Sequence, residues 1–514
     1  MDQQSANEIL YAYQNVLRQQ GVLSWIDELA RRYPDAEVHL VGGAVRDCVL
    51  GRPDAKDYDF VVRNVASDAL ESVLKKFGTV NYVGKAFGVF KLKLHEPLEL
   101  EALDVALPRT EQAWGTGKYK DVDTQSDPAL PLDKDLARRD FTVNAIAMRV
   151  MGGRGQLLVD NYNGLNDAAG RLLRAVGDPH ERFNEDYSRM LRGLRFAANL
   201  GFEIEQATWD ALVATLSHLN DQDKAGVWIV PRETIASEFL RALGGSPVRA
   251  FDLYEKSGAF SELMPELDAM KDCPQPVQFH SEGDVWTHTR LALAVLESEV
   301  FAAQFREPIL TQDARSLWNA EIALAVLLHD IGKPSTLTTP ERDGTDRIRF
   351  NDHDQVGAQM AGAIIDRLKL TSPEGIGVDV ERMKFIIRHH LLFLHGKVDE
   401  LRPTTIEKYF FADPVRGEEF LKLCFADGAA TVPADGSPTL QNFHRMVARI
   451  NTLKERGRKT LPPALLTGYE IMELLSIPSG KAVGEVLEQL REAQLEGKIN
   501  NPEEARAFLT KYGN

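Results

Sequence analysis

Along the first third of the chain, apolar and polar positions alternate in a way that predicts a sheet carrying short, chemically loaded turns. The apolar run at residues 38–41 stops at Gly42-Gly43 and continues into Ala44-Val45-Arg46-Asp47, an order that predicts strand, glycine turn and helix. After a Gly51-Arg52-Pro53-Asp54 turn, Asp57-Tyr58-Asp59-Phe60-Val61-Val62 reads as a strand, with Asp57 and Asp59 on one face and Tyr58 on the other. Residues 67–77 have helical period and residues 89–94 alternate as a strand. His95-Glu96-Pro97 then turns the chain, and residues 98–107 return. Residues 1–33 predict one or two amphipathic helices packed on this unit. Residues 108–134 lack sustained periodicity and predict a mobile loop beside it. From residue 157 a turn leads into a short strand or helix, residues 182–196 form a charged helix, and residues 205–270 and 431–514 are helical. Pro274-Gln275-Pro276 marks a boundary. The pattern is α+β at the start and helical afterwards.

Composition narrows the setting. A chain of 514 residues with 44% hydrophobic content has enough apolar material for three or more compact units. No apolar run approaches a membrane span, and Asp2, Glu8, Asp27 and Glu28 stand where a targeting peptide avoids acids, so the expected compartment is the cytoplasm. Three scattered cysteines, Cys48, Cys273 and Cys424, fit a reducing compartment. The net charge of -16 excludes a uniformly basic surface, so an RNA end would need a local basic groove.

Candidate chemistry begins with Asp57 and Asp59. Two adjacent carboxylates repel unless a cation sits between them, and a hard divalent ion such as Mg2+ takes oxygen ligands. Asp104, an acid inside the apolar run Ala102-Leu103-Asp104-Val105-Ala106, is costly unless paired or metal-bound, and a neighbouring strand would bring it beside the first two. Gly42 and Gly43 let a backbone approach a phosphate, with Arg46 adding a charge-assisted contact. Later, Arg139 can meet a triphosphate, while Asp140 and Asn144, read as one helical turn apart, can bond ribose hydroxyls. Glu185, Asp186, Arg189, Arg192 and Arg195 follow at three- and four-residue steps. An Asp acceptor beside an Arg donor matches cytosine and adenine, which offer an amine next to a ring nitrogen, and mispairs with uracil and guanine.

Gly42-Gly43-Ala44-Val45-Arg46-Asp47 with Asp57-x-Asp59, then Leu136-Ala137-Arg138-Arg139-Asp140-Phe141-Thr142-Val143-Asn144-Ala145, then Glu185-Asp186-x-x-Arg189, resemble the motifs of the class II tRNA nucleotidyltransferases. These are the CCA-adding enzymes, close relatives of the bacterial poly(A) polymerases. The resemblance implies a polymerase β-like nucleotidyltransferase head at 37–155 behind an N-terminal helical extension at 1–36. A base-reading neck at 156–225, a body at 226–275 and a helical tail at 431–514 would complete that part of the chain. It also implies that Asp57 and Asp59, assisted by Asp104, hold Mg2+ and that Asp186 and Arg189 choose the nucleotide. Arg192 and Arg195 would contact the nucleotide or its phosphates, and Arg109-Thr110-Glu111 opens a loop that takes part in nucleotide switching. Val230-Pro231-Arg232-Glu233 with Glu238-Phe239 falls where the family supports its base-reading helix. The implied partners are the tRNA 3′ end, CTP and ATP. Poly(A) addition, or CC-only or A-only addition, shares these motifs, and a non-catalytic RNA-binding scaffold is the reading from another class.

A second constellation lies between residues 276 and 430. His288 lies in a helical pattern opening at Gly283-Asp284-Val285-Trp286, an apolar helix ends in His329-Asp330-Ile331-Gly332-Lys333-Pro334, His353 sits in a polar loop, His389-His390 ends a helix, and Asp427 follows Cys424-Phe425-Ala426. This resembles the HD-domain metal-dependent phosphohydrolases. The resemblance implies ligands at His288, His329, Asp330 and Asp427, with Lys333 at the leaving phosphate and His353 and His389 completing a second metal or the substrate pocket. Imidazole with carboxylate suits Mn, Ni, Fe or Mg and a water attacking a phosphate ester.

Overall fold

The computed structural model describes residues 3–53, 57–82, 88–96, 101–119, 121–152, 157–311, 317–395, 398–455, 463–495 and 497–512. Asp54, Pro97 and residues 98–100, part of the expected turns and return strand, lie outside them. The chain divides into two compact units, one of residues 1–242 and 252–263, the other of 243–251 and 264–514. The expected head and neck fall in the first unit, and the HD region and tail in the second. The expected body is shared between the two.

In the first unit, α1 (Gln3–Gln19) buries Ala6, Leu10, Tyr13 and Leu17 at helical spacing and α2 (Ile26–Arg32) buries Ile26 and Leu29, while α3 (Gly43–Val49) and α4 (Ser67–Leu74) link strands of the sheet. They share one core with Leu40, Phe60 and Val105 of the sheet, Trp25 meeting Phe60 edge-on at 5.5 Å. The sheet comprises β1 (Glu37–Val41), β2 (Asp59–Arg63), β3 (Gly78–Tyr82), β4 (Val89–Leu94), β5 (Leu103–Ala106), β8 (Ile146–Met151) and β9 (Leu158–Asp160), while β6 (Arg109–Ala113) and β7 (Val122–Ser126) form a separate ribbon. Its order is β3-β4-β5-β2-β1-β8-β9, antiparallel except where β2 runs parallel to β5. Phe60 and Val62 face the core under α1 and α2, whereas Val61 joins Val41, Leu136 and Ala147 in a smaller cluster on the other face. Period-two alternation therefore puts Asp59 on the face of that smaller cluster, at the strand's open end.

Three expectations are corrected here. Residues 108–134 are not a featureless loop, because β6 and β7 pair antiparallel from Arg109–Ser126 to Ala113–Val122 and α5 (Leu132–Ala137) follows. Arg109-Thr110-Glu111 and Asp123-Thr124-Gln125-Ser126 are polar at every position, so no core-facing alternation announces the strands. Asp140 and Asn144 are not on one helix, since α5 ends at Ala137 and only Thr142–Asn144 makes a short 3-10 turn. The charged helix at 182–196 is two helices, α7 (Pro179–Glu185) and α8 (Ser188–Leu200), with Asp186 extended between them at φ -155°. β10 (Leu172–Leu173) and α6 (Gly164–Ala169) connect them to the sheet.

The second unit is helical. Its nine-residue helix Ala320–Leu328 is buried along its whole length, and Val285–Leu296, His353–Leu368, Val380–His389 and Pro414–Ala430 are further helices of this unit. The tail keeps its own small core around Ile471, Val483, Leu490 and Leu509. Among the described residues, no helix is long and apolar enough to cross a membrane.

Candidate functional site

In the first unit the sheet's open end, α8 and the segment 227–241 enclose a cleft of about 1180 Å3. Asp59 on β2 stands in register with Asp104 on β5, and Asp57 lines the same wall two residues before β2 begins. Asp104 Oδ1 makes no hydrogen bond, with Lys91 Nζ 3.5 Å away. Asp59 lines the cleft as an exposed residue, yet the protein atoms around it push its carboxyl above the ordinary range; Arg139 opposes this, and Asp104 and Asp57 add to it. Three acids with so little compensating charge fit a divalent cation. Gly42, at φ 76°, closes the same end: a Cβ there would stand 3.0 Å from Arg139 Nη1 and 3.8 Å from Asp59 Oδ2. Only glycine leaves this backbone open to a ligand.

The arginines form a connected network. Arg46 donates to both oxygens of Asp47 at 2.8 and 2.9 Å and to Asn144 Oδ1 at 2.7 Å. Asn144 donates to Asp140 Oδ1 at 3.0 Å, and Asp140 Oδ2 accepts from Arg192 Nε and Nη2 at 2.9 and 2.7 Å. Burial would raise the Asp140 carboxyl, but the Arg192 charge and the Asn144 amide hold it well below the usual range. Arg195 donates to Glu238 at 2.5 Å and lies over Phe196. Asp140 and Asn144, expected at ribose hydroxyls, are thus already tied to protein partners, and Arg46 and Glu238 brace the two ends. Arg189 is held by Glu185 at 2.6 Å and by the carbonyls of Arg182 and Arg138, both at 3.1 Å. Asp186 Oδ1 accepts from the backbone and hydroxyl of Ser188 at 2.9 and 2.6 Å, and no hydrogen bond to its Oδ2 occurs among the described residues. Glu238, which the resemblance puts where the family supports its base-reading helix, contacts α8 through Arg195.

The second unit gathers His288, His329, Asp330, His353, His390 and Asp427, all buried. His329, His353 and His390 each turn Nδ1 to the carbonyl three residues earlier, at 2.8, 2.7 and 2.6 Å. That bond selects the tautomer with a free Nε2 lone pair. Those Nε2 atoms lie 3.3, 3.5 and 3.7 Å from Asp330 oxygens. Among the described residues, His329 Nε2, His353 Nε2 and Asp330 Oδ1 meet no hydrogen-bond partner. His288 spans Asp427 at 3.0 Å and Glu282 at 2.9 Å; although burial opposes its charge, these two carboxylates raise it to about 9. Lys333 Nζ is 2.6 Å from Asp330 Oδ2. Ligand atoms of His288, His329 and Asp330, and again of Asp330, His353 and His390, lie within 4.8 Å of one another, a closeness the three cleft carboxylates of the first unit do not reach. Buried imidazole nitrogens and a carboxylate this close together fit two divalent ions sharing Asp330. The histidine at this cluster is His390, and the expected His389 instead packs on Phe385 and Tyr409, with ring centroids at 4.7 and 4.9 Å.

Residues 38–174 match the Poly A polymerase head domain and residues 310–422 the HD domain. A multifunctional CCA protein of Nitrosococcus oceani is 33% identical over 88% of this chain and 97% of its own. An A-adding tRNA nucleotidyltransferase of Deinococcus radiodurans is 33% identical over 92% of this chain and 95% of its own. The crystal structure of the Bacillus stearothermophilus CCA-adding enzyme in complex with CTP shares the fold, with a TM-score of 0.60 at 22% identity over 96% of this chain and 97% of that one.

Proposed function

This chain belongs to the multifunctional CCA protein family, and on that premise we propose that it builds and repairs the 3′-terminal CCA of tRNA from CTP and ATP, in the cytoplasm and without a nucleic-acid template. The observation that carries the reading is the register of Asp59 against Asp104 in the lining of a cleft that also holds Asp57, Asp186 and Arg189. Both domain families are metal-dependent. Asp57, Asp59 and Asp104 are the residues that would hold Mg2+, which when bound neutralises the triphosphate and acidifies the attacking 3′-hydroxyl. The rest falls to the chain itself. Gly42 and Gly43 admit the triphosphate, and Arg139, half-buried beside them, supplies fixed positive charge. Through Asn144 and Asp140, Arg46 braces Arg192 on the base-reading helix. Transfer joins the RNA O3′ to the α-phosphorus as the bond to pyrophosphate breaks.

Base choice is assigned to Asp186 and Arg189. Arg189→Ala is expected to lower kcat/KM for CTP and ATP by at least tenfold while narrowing their advantage over UTP, because a mispaired buried group costs about 1–3 kcal/mol. Steady-state kinetics with the four nucleotides checks it; a purely structural loss would lower all rates and leave the ratios intact.

In the second unit, His288, His329, Asp330 and Asp427 would hold one divalent ion, with His353 and His390 completing a second around Asp330. When bound, the ions activate water for attack on a phosphate ester. Glu282 and the three carbonyls keep the imidazoles in their ligating tautomers, and Lys333 supplies charge beside Asp330. A-only addition is the second reading of the first unit, favoured by the equal identity to the Deinococcus A-adding enzyme.

A further inference from the structure

The far wall of the cleft is not used by the carboxylates, the phosphate end or the base-reading pair. It is formed by Val227, Trp228, Ile229, Val230 and Pro231, and Trp228 and Val227 keep 36% and 56% of their surface exposed. An indole lining this cleft and partly exposed offers a surface on which a base can stack.

The ring is held rather than draped. Residues 221–229 fold back on themselves: Gln222 bridges Trp228, Ile229 N–H donates to the Asp221 carbonyl at 2.9 Å, and Asp223 N–H donates to the Val227 carbonyl at 2.8 Å. Asp223 Oδ1 accepts from the N–H groups of Ala225 and Val227 at 2.9 and 3.0 Å. The Arg232 guanidinium lies 3.7 Å from the centroid of the indole and donates to Asn220 Oδ1 at 2.9 Å. A ring fixed in this way gives up little rotamer freedom when a ligand stacks on it.

We propose that Trp228 is the platform on which the 3′-terminal base of the RNA primer stacks. The inference rests on the reading of the first unit as a tRNA nucleotidyltransferase. Its argument is one of selectivity. CCA synthesis extends a primer that ends first in whichever base precedes CCA, then in C, then in CC, so the primer site must tolerate different bases. Stacking is blind to base identity, because every base has a π-face. The incoming nucleotide must instead be discriminated by hydrogen bonds. Residues 227–231 are apolar apart from the indole N–H, whereas Asp186 and Arg189 bring charged acceptors and donors. The cleft also exceeds what a single ligand of nucleotide size fills, leaving space for a second one.

The test uses the full-length protein, Mg2+ and a tRNA transcript lacking CCA, with KM measured separately for tRNA and for CTP. Trp228→Ala is expected to raise the KM for tRNA by about tenfold to a hundredfold, the loss of one base–aromatic stack, with the KM for CTP within about twofold of wild type. Trp228→Phe, which keeps a stacking face, is expected to restore tRNA KM to near the wild-type value. With 2-aminopurine as the terminal base, wild type and Trp228→Phe quench its fluorescence on binding more than Trp228→Ala does. An unchanged tRNA KM in Trp228→Ala, a rise confined to CTP, or a phenylalanine variant as impaired as the alanine one would overturn the platform. If the wild-type protein extends no tRNA at all, it is the reading beneath that fails.

Discussion

Asp59→Asn is expected to reduce nucleotide incorporation by about a thousandfold or more while leaving the melting temperature of the metal-free protein unchanged or slightly raised. The loss follows from removing one of three carboxylates that would hold the ion, whose several kcal/mol of charge stabilisation convert at about 1.36 kcal/mol per tenfold in rate. The stability effect follows from sign. The folded protein raises the Asp59 pKa, through desolvation first and then through Asp104 and Asp57, so its stabilising contribution exists below the ordinary carboxylate pKa and disappears as pH rises through the folded one. At neutral pH the charge is a burden in the metal-free fold, and asparagine removes it. Radiolabel incorporation paired with thermal melts in chelator checks both halves. A variant that melts normally and still incorporates at the wild-type rate would remove the proposed metal site.

Asp330→Asn is expected to behave in the opposite way in the second unit. Its carboxylate is fully buried and, despite desolvation, is held well below the usual range by His329 and Lys333, whose ammonium lies 2.6 Å from Oδ2. Neutralising it leaves Lys333 buried beside a weaker partner, so the melting temperature falls. Because Asp330 belongs to both groups of ligand atoms, bound divalent metal per chain and hydrolysis of bis(p-nitrophenyl) phosphate should both drop by at least a hundredfold, with nucleotide incorporation retained. His353→Gln is the milder companion, expected to lose part of the metal without the Lys333 penalty. Wild-type metal content in both variants would exclude the shared-carboxylate site.

The candidate residues were legible because their chemistry is local. Two acids two positions apart, two glycines after an apolar run and a His-Asp pair each suggest a role within a few residues. Asp104 was legible by a different route, as an acid too costly for an apolar strand, and its register with Asp59 is the geometry that expectation required. What escaped depended on phase or on partners far away. The Glu185–Arg189 spacing suits a helix whether or not the chain breaks at Asp186, so the junction between α7 and α8 left no trace in periodicity. Between His389 and His390 the decision is one of helical phase. His390 lies three residues after buried Ile387 and seven after buried Met383, whereas His389 lies four after half-buried Phe385. The β6–β7 ribbon was missed because polar strands outside a core carry no burial signal.

The central claim is that the first unit completes CCA. The measurement that tests it most directly is incorporation by the full-length protein, with Mg2+, on three tRNA transcripts ending before CCA, after C and after CC, each supplied with CTP, ATP or both. The account predicts termination at one completed CCA on all three, with CTP needed by the first two and ATP by all. Addition of A alone to the transcript ending in CC, with no use of CTP on the others, or runs of A on any of them, would contradict it.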